Sequence, residues 1–234
     1  MRKLCGLLMC LLLAVPVSAS SEEQPRYIAL TFDDGPSGRY TRRLLEGLEV
    51  RDARVTFFLC GYRVEQDPEL AERILSAGHE IGIHGYSHKN MRELSRRQIA
   101  AELEDTRSLL PKGCDPVWLR PPGGCCSDGV RQVAAVTGLS ILDWSLDPKD
   151  WATRDGAGVQ KAILDAAKDG DVVLLHDMTD SSVDAALAVI DGLQQRGYRF
   201  VTVSELARRR RVQIEPGKTY RCFPPKDGKT PPQR

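Results

Sequence analysis

Apolar residues lie along the chain in short continuous runs, separated by stretches in which they recur every three or four positions. Short runs predict buried strands, and the wider spacing predicts amphipathic helices. The strand-like runs cover residues 27–32, 55–59, 80–84, 117–120, 140–145, 172–176 and 199–203. Helical spacing is found at Tyr40, Leu44 and Leu48, at Ile99, Leu103, Thr106 and Leu110, at Val159, Ile163 and Ala166, and at Val183, Ala186, Leu187 and Ile190. Seven strand–helix units in series predict an α/β fold with a parallel sheet, either open or closed into a barrel.

Polar side chains follow the carboxyl ends of at least five of these runs, namely Asp33 with Asp34, His84, Arg120, Asp147 and His176. An open sheet collects its ligands at one switch point, whereas in a barrel the ends of many strands meet at one mouth. The pattern therefore predicts an irregular (β/α) barrel of about seven parallel strands, related to the TIM barrel.

The two ends of the chain differ in composition from the predicted domain, which covers residues 26–210. Met1-Arg2-Lys3, an apolar run over residues 4–15 and the small residues Val17-Ser18-Ala19 predict a signal peptide over residues 1–19. An uncleaved membrane anchor is the alternative, but the apolar run is shorter than the ~20 residues that span a bilayer. Residues 20–25 are a short leader, and residues 211–234 are a basic tail rich in proline and lysine. We therefore expect a protein that is secreted or held in the cell envelope, with no membrane span after signal cleavage.

The charge balance limits the kinds of partner. The 234 residues include 33 Lys and Arg against 32 Asp and Glu, a net charge of +1. Nucleic-acid binding needs a basic excess on one face, so the composition argues against such a partner. A chain of this length suits one globular domain with a sizeable core, which we expect to be a monomer.

Five of the seven cysteines lie outside the predicted signal peptide, which holds Cys5 and Cys10; they are Cys60, Cys114, Cys125, Cys126 and Cys222. An odd number leaves at least one thiol unpaired or bonded to another chain. Their spacing matches no zinc finger. Cys60 ends an apolar run and is predicted to be buried. Cys114 and Cys126 could form a bridge, although sequence does not fix the pairing.

Adjacent carboxylates at Asp33 and Asp34 end the first apolar run, before a Gly-Pro turn signal. Two such groups repel unless a cation or a proton lies between them. Asp34 could then bind a metal while Asp33 transfers protons. When these residues are taken alone, the simpler interpretation, a strand followed by an Asp-capped turn, is favoured.

The spacing His84-x-x-x-His88 places two imidazoles where a turn can direct both at one ion. The pair alone is weak evidence for a metal. Together with an acidic strand end it gives two imidazoles and one carboxylate, the ligand set of many catalytic zinc sites. His79 precedes the third strand and is interpreted as a structural histidine.

Three further segments carry candidate chemistry. Arg120 opens a Pro-Pro-Gly-Gly sequence that could present backbone N–H groups to an oxyanion, with Arg120 itself paired to Asp33. His176 ends a wholly apolar strand, and a carboxylate such as Asp150 would raise its pKa toward the value that suits a general acid. Trp151 could stack on a sugar ring. A proline-rich surface turn and a core tryptophan are the alternatives.

Taken together, the motifs resemble those of the NodB-type polysaccharide deacetylases, carbohydrate esterase family 4. They are Thr31-Phe32-Asp33-Asp34-Gly35-Pro36, His84-x-x-x-His88, Arg120-Pro-Pro-Gly-Gly124, Trp144-x-x-Asp147-x-x-Asp150-Trp151 and Leu174-Leu175-His176-Asp177. They occur in the order of that family and extend over nearly the whole predicted domain.

The resemblance implies a role for each matching residue. Asp34, His84 and His88 would hold a divalent metal, usually zinc, with cobalt or another transition metal as alternatives. Asp33 would be the general base and Arg120 its partner, and His176, tuned by Asp150, would be the general acid. Gly123 would supply the oxyanion N–H, while Trp151 and Leu174 would line the pocket for the acetyl methyl group.

The implied activity is hydrolysis of N-acetyl groups on N-acetylglucosamine-type residues of an extracellular glycan such as peptidoglycan or a chitin-like polymer. Two positions depart from the family pattern. Gly123 stands where an aromatic residue is usual, and Gly85 stands where serine or threonine is usual. The first departure leaves the preferred substrate open. An O-acetyl esterase and a catalytically silent glycan-binding module are the alternative functions.

Overall fold

The computed structural model describes residues 25–225. Eight strands lie in one sheet. They are β1 (Arg26–Gly35), β2 (Thr56–Leu59), β3 (Glu80–Ile83), β4 (Trp118–Leu119), β5 (Ser140–Leu142), β6 (Val172–His176), β7 (Tyr198–Phe200) and β8 (Thr219–Tyr220). Eight α-helices lie between and after them. They are α1 (Arg39–Val50), α2 (Gly61–Gln66), α3 (Pro68–Ser76), α4 (Arg96–Leu109), α5 (Asp128–Val136), α6 (Gly156–Ala166), α7 (Asp180–Gln194) and α8 (Val203–Arg209). Each of the seven predicted strands is present, and β8 is an addition.

The sheet is parallel and curls into a barrel with an irregular seam. Its order is β6-β1-β2-β3-β4-β5-β8, with β7 pairing the first residues of β1. The seam between β5 and β6 is bridged by Leu146, which pairs with Val173 in parallel, and by Cys222, which pairs with Asp171. The prediction of an irregular (β/α) barrel is therefore confirmed.

Residues of β1 show why the pattern of side chains forms this barrel. Successive side chains of a strand point to opposite faces. Ile28, Leu30 and Phe32 pack outward in the cluster under the helices. The intervening Ala29 packs in a second cluster with residues of α8. Thus each strand presents one apolar face to the helices and one face to the barrel interior.

The segment after α8 packs with the domain, although the sequence predicts a tail over residues 211–234. Strand β8 pairs with β5, and Phe223 is buried among Trp118 and Tyr220. Thr219 and Tyr220 lie in a basic, proline-containing segment without an apolar run, so the sequence gives no strand signal there. The predicted signal peptide, nearly all of the leader and residues 226–234 lie outside the described residues.

No helix among residues 25–225 is both long and apolar enough to cross a membrane. All five cysteines in this part of the chain carry free thiols, so the bridge between Cys114 and Cys126 is not formed. Cys60 is fully buried, as predicted.

Candidate active site and metal centre

The candidate site lies at the mouth, the end of the barrel formed by the carboxyl ends of the strands. Because inward and outward positions alternate, Asp33 follows Ala29 and Thr31 on the inner face of β1. Asp33 also pairs in register with His176 on β6, so the two side chains start from neighbouring strand ends. His84 and Arg120 extend β3 and β4 by one residue each. Four strands thus deliver polar groups to one inner surface.

Asp33 and Arg120 form a buried ion pair. Nη1 of Arg120 donates to Oδ1 of Asp33 at 2.7 Å and to Oγ1 of Thr31 at 2.7 Å. The other guanidinium nitrogens donate to the backbone oxygens of Leu142 and Asp143, both at 3.0 Å. A buried charge is tolerated when its hydrogen-bonding groups are satisfied, as they are at Arg120. The other carboxylate oxygen of Asp33, Oδ2, lies 3.8 Å from Nε2 of His84.

Asp34, His84 and His88 are brought together as a three-ligand set. Oδ1 of Asp34 lies 3.2 Å from Nε2 of His84 and 2.9 Å from Nε2 of His88. One ligand atom from each residue falls within 4.8 Å of the other two. A carboxylate oxygen and two imidazole nitrogens are typical zinc ligands, and three protein ligands leave positions open for water and substrate.

The hydrogen bonding of Asp34 favours a cation at this point. Its Oδ1 is buried and has no hydrogen-bond partner among the described residues, although two imidazole nitrogens lie within 3.2 Å of it. A buried carboxylate oxygen without a partner is costly and requires an explanation. Burial raises the pKa of Asp34, but the two imidazoles outweigh it, so the pKa lies well below its usual range. These residues fit a divalent metal.

The orientation of the His84 imidazole is fixed by a hydrogen bond to the backbone of Arg120. Its Nδ1 lies 2.6 Å from the backbone oxygen of Arg120, which can only accept a hydrogen bond. The proton therefore resides on Nδ1, and the lone pair of Nε2 faces Asp34. A backbone carbonyl behind a histidine is the usual way in which proteins orient a metal-ligating imidazole.

The loop that carries His88 is held by Glu102 of α4. Its carboxylate accepts from the backbone N–H of Ser87 at 2.7 Å and from the hydroxyl of Ser87 at 2.5 Å. Both Asp34 and His88 adopt positive φ angles, 71° and 56°, which non-glycine residues rarely do. Sequence reasoning missed Glu102, because nothing in a helix sequence indicates which side chain reaches back to a loop.

His176 is paired with Asp150, which lies in the loop after β5. Nδ1 of His176 lies 2.9 Å from Oδ1 of Asp150, and the backbone N–H of His176 donates to Oδ2 at 2.8 Å. Burial lowers the pKa of His176, but the hydrogen bond and charge of Asp150 outweigh it and raise that pKa above its usual value. With Nδ1 engaged by Asp150, Nε2 is the nitrogen left to exchange protons with a ligand.

The remaining predicted residues lie around this centre. Gly123 has a φ of 64°, and no acceptor among residues 25–225 takes its backbone N–H. Trp151 is 63% exposed, and Leu174 is buried outside the three apolar clusters of the core. Asp147 caps its own turn by accepting from the backbone N–H of Lys149 at 2.8 Å.

Comparison with known families and proteins gives a consistent result. The sequence profile of the family described as polysaccharide deacetylase matches residues 20–142. A peptidoglycan-N-acetylglucosamine deacetylase of Bacillus cereus is 40% identical over 189 residues, which cover 78% of this chain and 89% of that protein. A peptidoglycan-N-acetylmuramic acid deacetylase of Bacillus subtilis is 34% identical, over 83% of this chain but only 41% of that longer protein.

Among solved structures, a family 4 acetyl xylan esterase from Clostridium thermocellum in complex with a cobalt ion has a TM-score of 0.79. It is 32% identical to this chain, and the match covers 85% of this chain and all of that one. Two of these three proteins are named for peptidoglycan and one for acetyl xylan, and all three are named for the removal of acetyl groups.

Proposed function

Because the chain belongs to the polysaccharide deacetylase family, we propose that it hydrolyses N-acetyl groups on N-acetylglucosamine-type residues of an extracellular glycan. Peptidoglycan is the favoured polymer, since the two peptidoglycan deacetylases of Bacillus resemble the chain over most of its length. A chitin-like polymer is the alternative substrate. The predicted signal peptide agrees with a substrate outside the cytoplasm.

The observation that carries the proposal is the orphaned Oδ1 of Asp34 between two imidazole nitrogens. Asp34, His84 and His88 would hold a divalent metal, with zinc as the first candidate and cobalt or another transition metal as alternatives. When bound, such a metal supplies a Lewis acid that polarises a carbonyl and lowers the pKa of water toward ~7.

Asp33 is placed to act as the general base. Its Oδ1 is occupied by Arg120, so the carboxylate cannot rotate freely, and Oδ2 remains available for a proton. Oδ2 of Asp33 lies 3.8 Å from Nε2 of His84, one of the three proposed ligands, so it would be close to a water held at that centre. Arg120 acts on the reaction through Asp33, because each of its three side-chain nitrogens already donates to a protein acceptor.

His176, on the strand next to that of Asp33, would protonate the departing nitrogen. A protonated Nε2 can donate to the amine as the C–N bond breaks, and Asp150 stabilises the imidazolium before that step. The backbone N–H of Gly123 is free to donate to the developing oxyanion, an interaction worth about 3–4 kcal/mol where it has been removed in other enzymes. Acetate and a free amino sugar are the products.

Trp151 and Leu174 are assigned to substrate binding. The exposed indole of Trp151 offers a flat apolar surface to a sugar ring, while Leu174 offers a buried apolar side chain to the acetyl methyl group. In this chain Gly123 contributes no side chain beside the sugar, so the cleft is wider on that side than an aromatic residue would leave it.

Removal of O-acetyl groups is the second candidate activity. It is favoured by the similarity to an acetyl xylan esterase and by the open position at Gly123. An ester oxygen leaves more readily than an amine, so the same base and acid would serve. Acetylated xylan and N-acetylated chitin oligomers, assayed in parallel, distinguish the two activities.

The direct test uses the variant Asp33→Asn, which keeps the size of the side chain and removes the base. Metal-loaded wild-type protein should release acetate from peptidoglycan fragments, with a loss of 42 mass units per sugar, whereas Asp33→Asn should bind metal equally and release none. Full activity in that variant would refute the assignment of the base. A wild-type protein that binds metal and glycan without releasing acetate would indicate a silent glycan-binding module instead.

A further inference from the structure

Asp177 is a fully buried carboxylate that the proposed mechanism does not use. It follows His176 directly at the end of β6, and its side chain has no exposed surface. Buried carboxylates are usually paired with a cation or a metal. Among the described residues, Asp177 makes no ion pair, and burial raises its pKa to about 7. A group retained at such a cost has a role in the structure around it.

The carboxylate is instead held by hydroxyl groups. Oγ1 of Thr41, in the first turn of α1, donates to Oδ2 of Asp177. The same hydroxyl accepts from the backbone N–H of Ser37 at 2.7 Å, so it must give its only proton to Asp177. Oγ of Ser37 lies 3.5 Å from Oδ1 of Asp177, at the limit of hydrogen bonding. One carboxylate therefore connects β6 to α1 and to the turn that follows β1.

That turn carries the metal ligand. Gly35 comes directly after Asp34, and a Cβ added to it would lie 3.3 Å from Oδ1 and 3.7 Å from Oδ2 of Asp177. The carboxylate of Asp177 thus packs against the backbone of Gly35. The preceding residue, Asp34, directs its own side chain into the mouth. Any shift of Asp177 or Thr41 would be passed to the peptide that positions Asp34.

We propose that Asp177 and Thr41 form a positioning pair, which sets the place of Asp34 for metal binding and ties it to the strand of the general acid His176. The inference rests on the proposed function, because it concerns the same metal centre. Metal ligands must lie within about 0.2 Å of their proper distances, so the residues that support them influence affinity strongly. Mutation of such supporting residues typically costs 10- to 100-fold in metal affinity.

The opposite end of the barrel supplies a matched control. Thr56 is also fully buried, and its Oγ1 likewise donates to a carboxylate, Oε2 of Glu80, at 2.7 Å. It also accepts a backbone N–H, that of Val203, at 3.0 Å. Thr41→Val and Thr56→Val therefore remove the same set of interactions, one beneath the metal ligand and the other far from it.

The experiment measures zinc affinity by chelator competition, and stability by thermal unfolding of the metal-free protein. Both valine variants should lose stability to a similar extent. Zinc affinity should fall 10- to 100-fold in Thr41→Val, stay within about twofold of wild type in Thr56→Val, and be largely restored in Thr41→Ser, which keeps the hydroxyl.

Asp177→Ala provides a second measurement, which decides the question if Thr41→Val does not fold. It should weaken zinc binding as Thr41→Val does, and the double variant should lose little more, because both changes break one contact. Wild-type affinity in Asp177→Ala, or equal affinities in Thr41→Val and Thr56→Val, would overturn the inference and leave the proposed function intact. A wild-type protein that binds no metal would overturn both.

Discussion

The two ends of the barrel contain similar residues in different states. At the base, formed by the amino ends of the strands, the hydroxyl of Thr56 and the backbone N–H of Ser204 both donate to the partly buried carboxylate of Glu80. At the mouth, Oδ1 of Asp34 is buried, has two imidazole nitrogens within 3.2 Å, and accepts no hydrogen bond from any described residue. The carboxylate of Glu80 is satisfied by protein donors, whereas Oδ1 of Asp34 is left for a ligand.

The difference shows where the fold accepts a cost in stability. Both ends are built by the same alternation of inward and outward side chains along the strands. Among residues 25–225, the unpartnered Oδ1 of Asp34 occurs together with positive φ angles at two of the three proposed ligands, Asp34 and His88. Strain and unmet hydrogen bonds concentrate at functional sites, where a ligand compensates for them. Perturbing the mouth should therefore change activity, and perturbing the base should change stability.

Removal of the metal should have the largest effect. Dialysis against a chelator should abolish acetate release, and zinc should restore it, because the three ligands have no other way to polarise the acetyl group. At a metal concentration of 100 times the Kd, the free energy of unfolding should exceed that of the metal-free protein by about 2.7 kcal/mol. Acetate release and chemical denaturation are the measurements. Undiminished activity in metal-free protein would contradict the assignment of the mouth as a metal centre.

Asp150→Asn should have the next largest effect and should alter the pH profile. Asp150 raises the pKa of His176 against the lowering effect of burial, so the protonated acid persists above its usual range. Activity that needs this proton is present below the pKa and lost as pH rises through it. Without the charge of Asp150 the pKa falls, so the alkaline limb of kcat against pH should move to lower pH.

The same variant should reduce kcat about 100-fold near neutral pH, in line with the loss of general acid catalysis. Zinc affinity is the internal control, since Asp150 contacts His176 and none of the three proposed ligands. An unchanged alkaline limb would show that His176 is not the proton donor.

Phe223→Ala should act on the base and leave the chemistry unchanged. Its ring is 1% exposed and packs on Tyr220 at 5.9 Å and Trp118 at 6.2 Å between centroids. Truncation of a buried phenylalanine typically costs about 3–5 kcal/mol of unfolding free energy. Urea denaturation should show that loss, with kcat/KM of the folded protein within about twofold of wild type. A loss of kcat/KM without a loss of stability would show that the last strand serves the mouth.

Much of the fold could be predicted because its periodicity is local. The apolar runs at residues 27–32 and 172–176 mark β1 and β6, and their polar ends mark the mouth. The three proposed ligands were found because they lie at strand ends or one turn beyond, where residue type and spacing carry the information. The pair Asp33–Arg120 follows once a barrel is assumed, since both residues lie at strand ends of one mouth. Asp150 lies in the loop after β5, and its pairing with His176 was predicted from residue type.

The supporting contacts could not be predicted from sequence. Glu102 reaches Ser87 from the next helix along the chain, and Thr41 meets Asp177 across 136 positions. Both depend on the rotation of a helix about its axis, which the sequence pattern fixes only coarsely. Strand β8 was missed because it consists of two residues within a basic, proline-containing segment that is typical of a tail.

Trp151→Ala should have the smallest effect, and it tests whether the mouth extends to an exposed aromatic surface. Its ring is 63% exposed, so the truncation removes few contacts within the protein, and the unfolding free energy should change by less than about 0.5 kcal/mol. Loss of an indole that covers part of a sugar ring should cost about 1 kcal/mol of binding, which corresponds to a roughly fivefold increase in KM. Because this contact is made equally in the ground state and the transition state, kcat should stay unchanged. Val136→Ala, at an 84% exposed position on α5, is the matched control and should alter neither constant. A fall in kcat at constant KM would instead place Trp151 at the reacting acetyl group, so that the boundary between the chemical and the glycan-binding parts of the mouth would have to be redrawn.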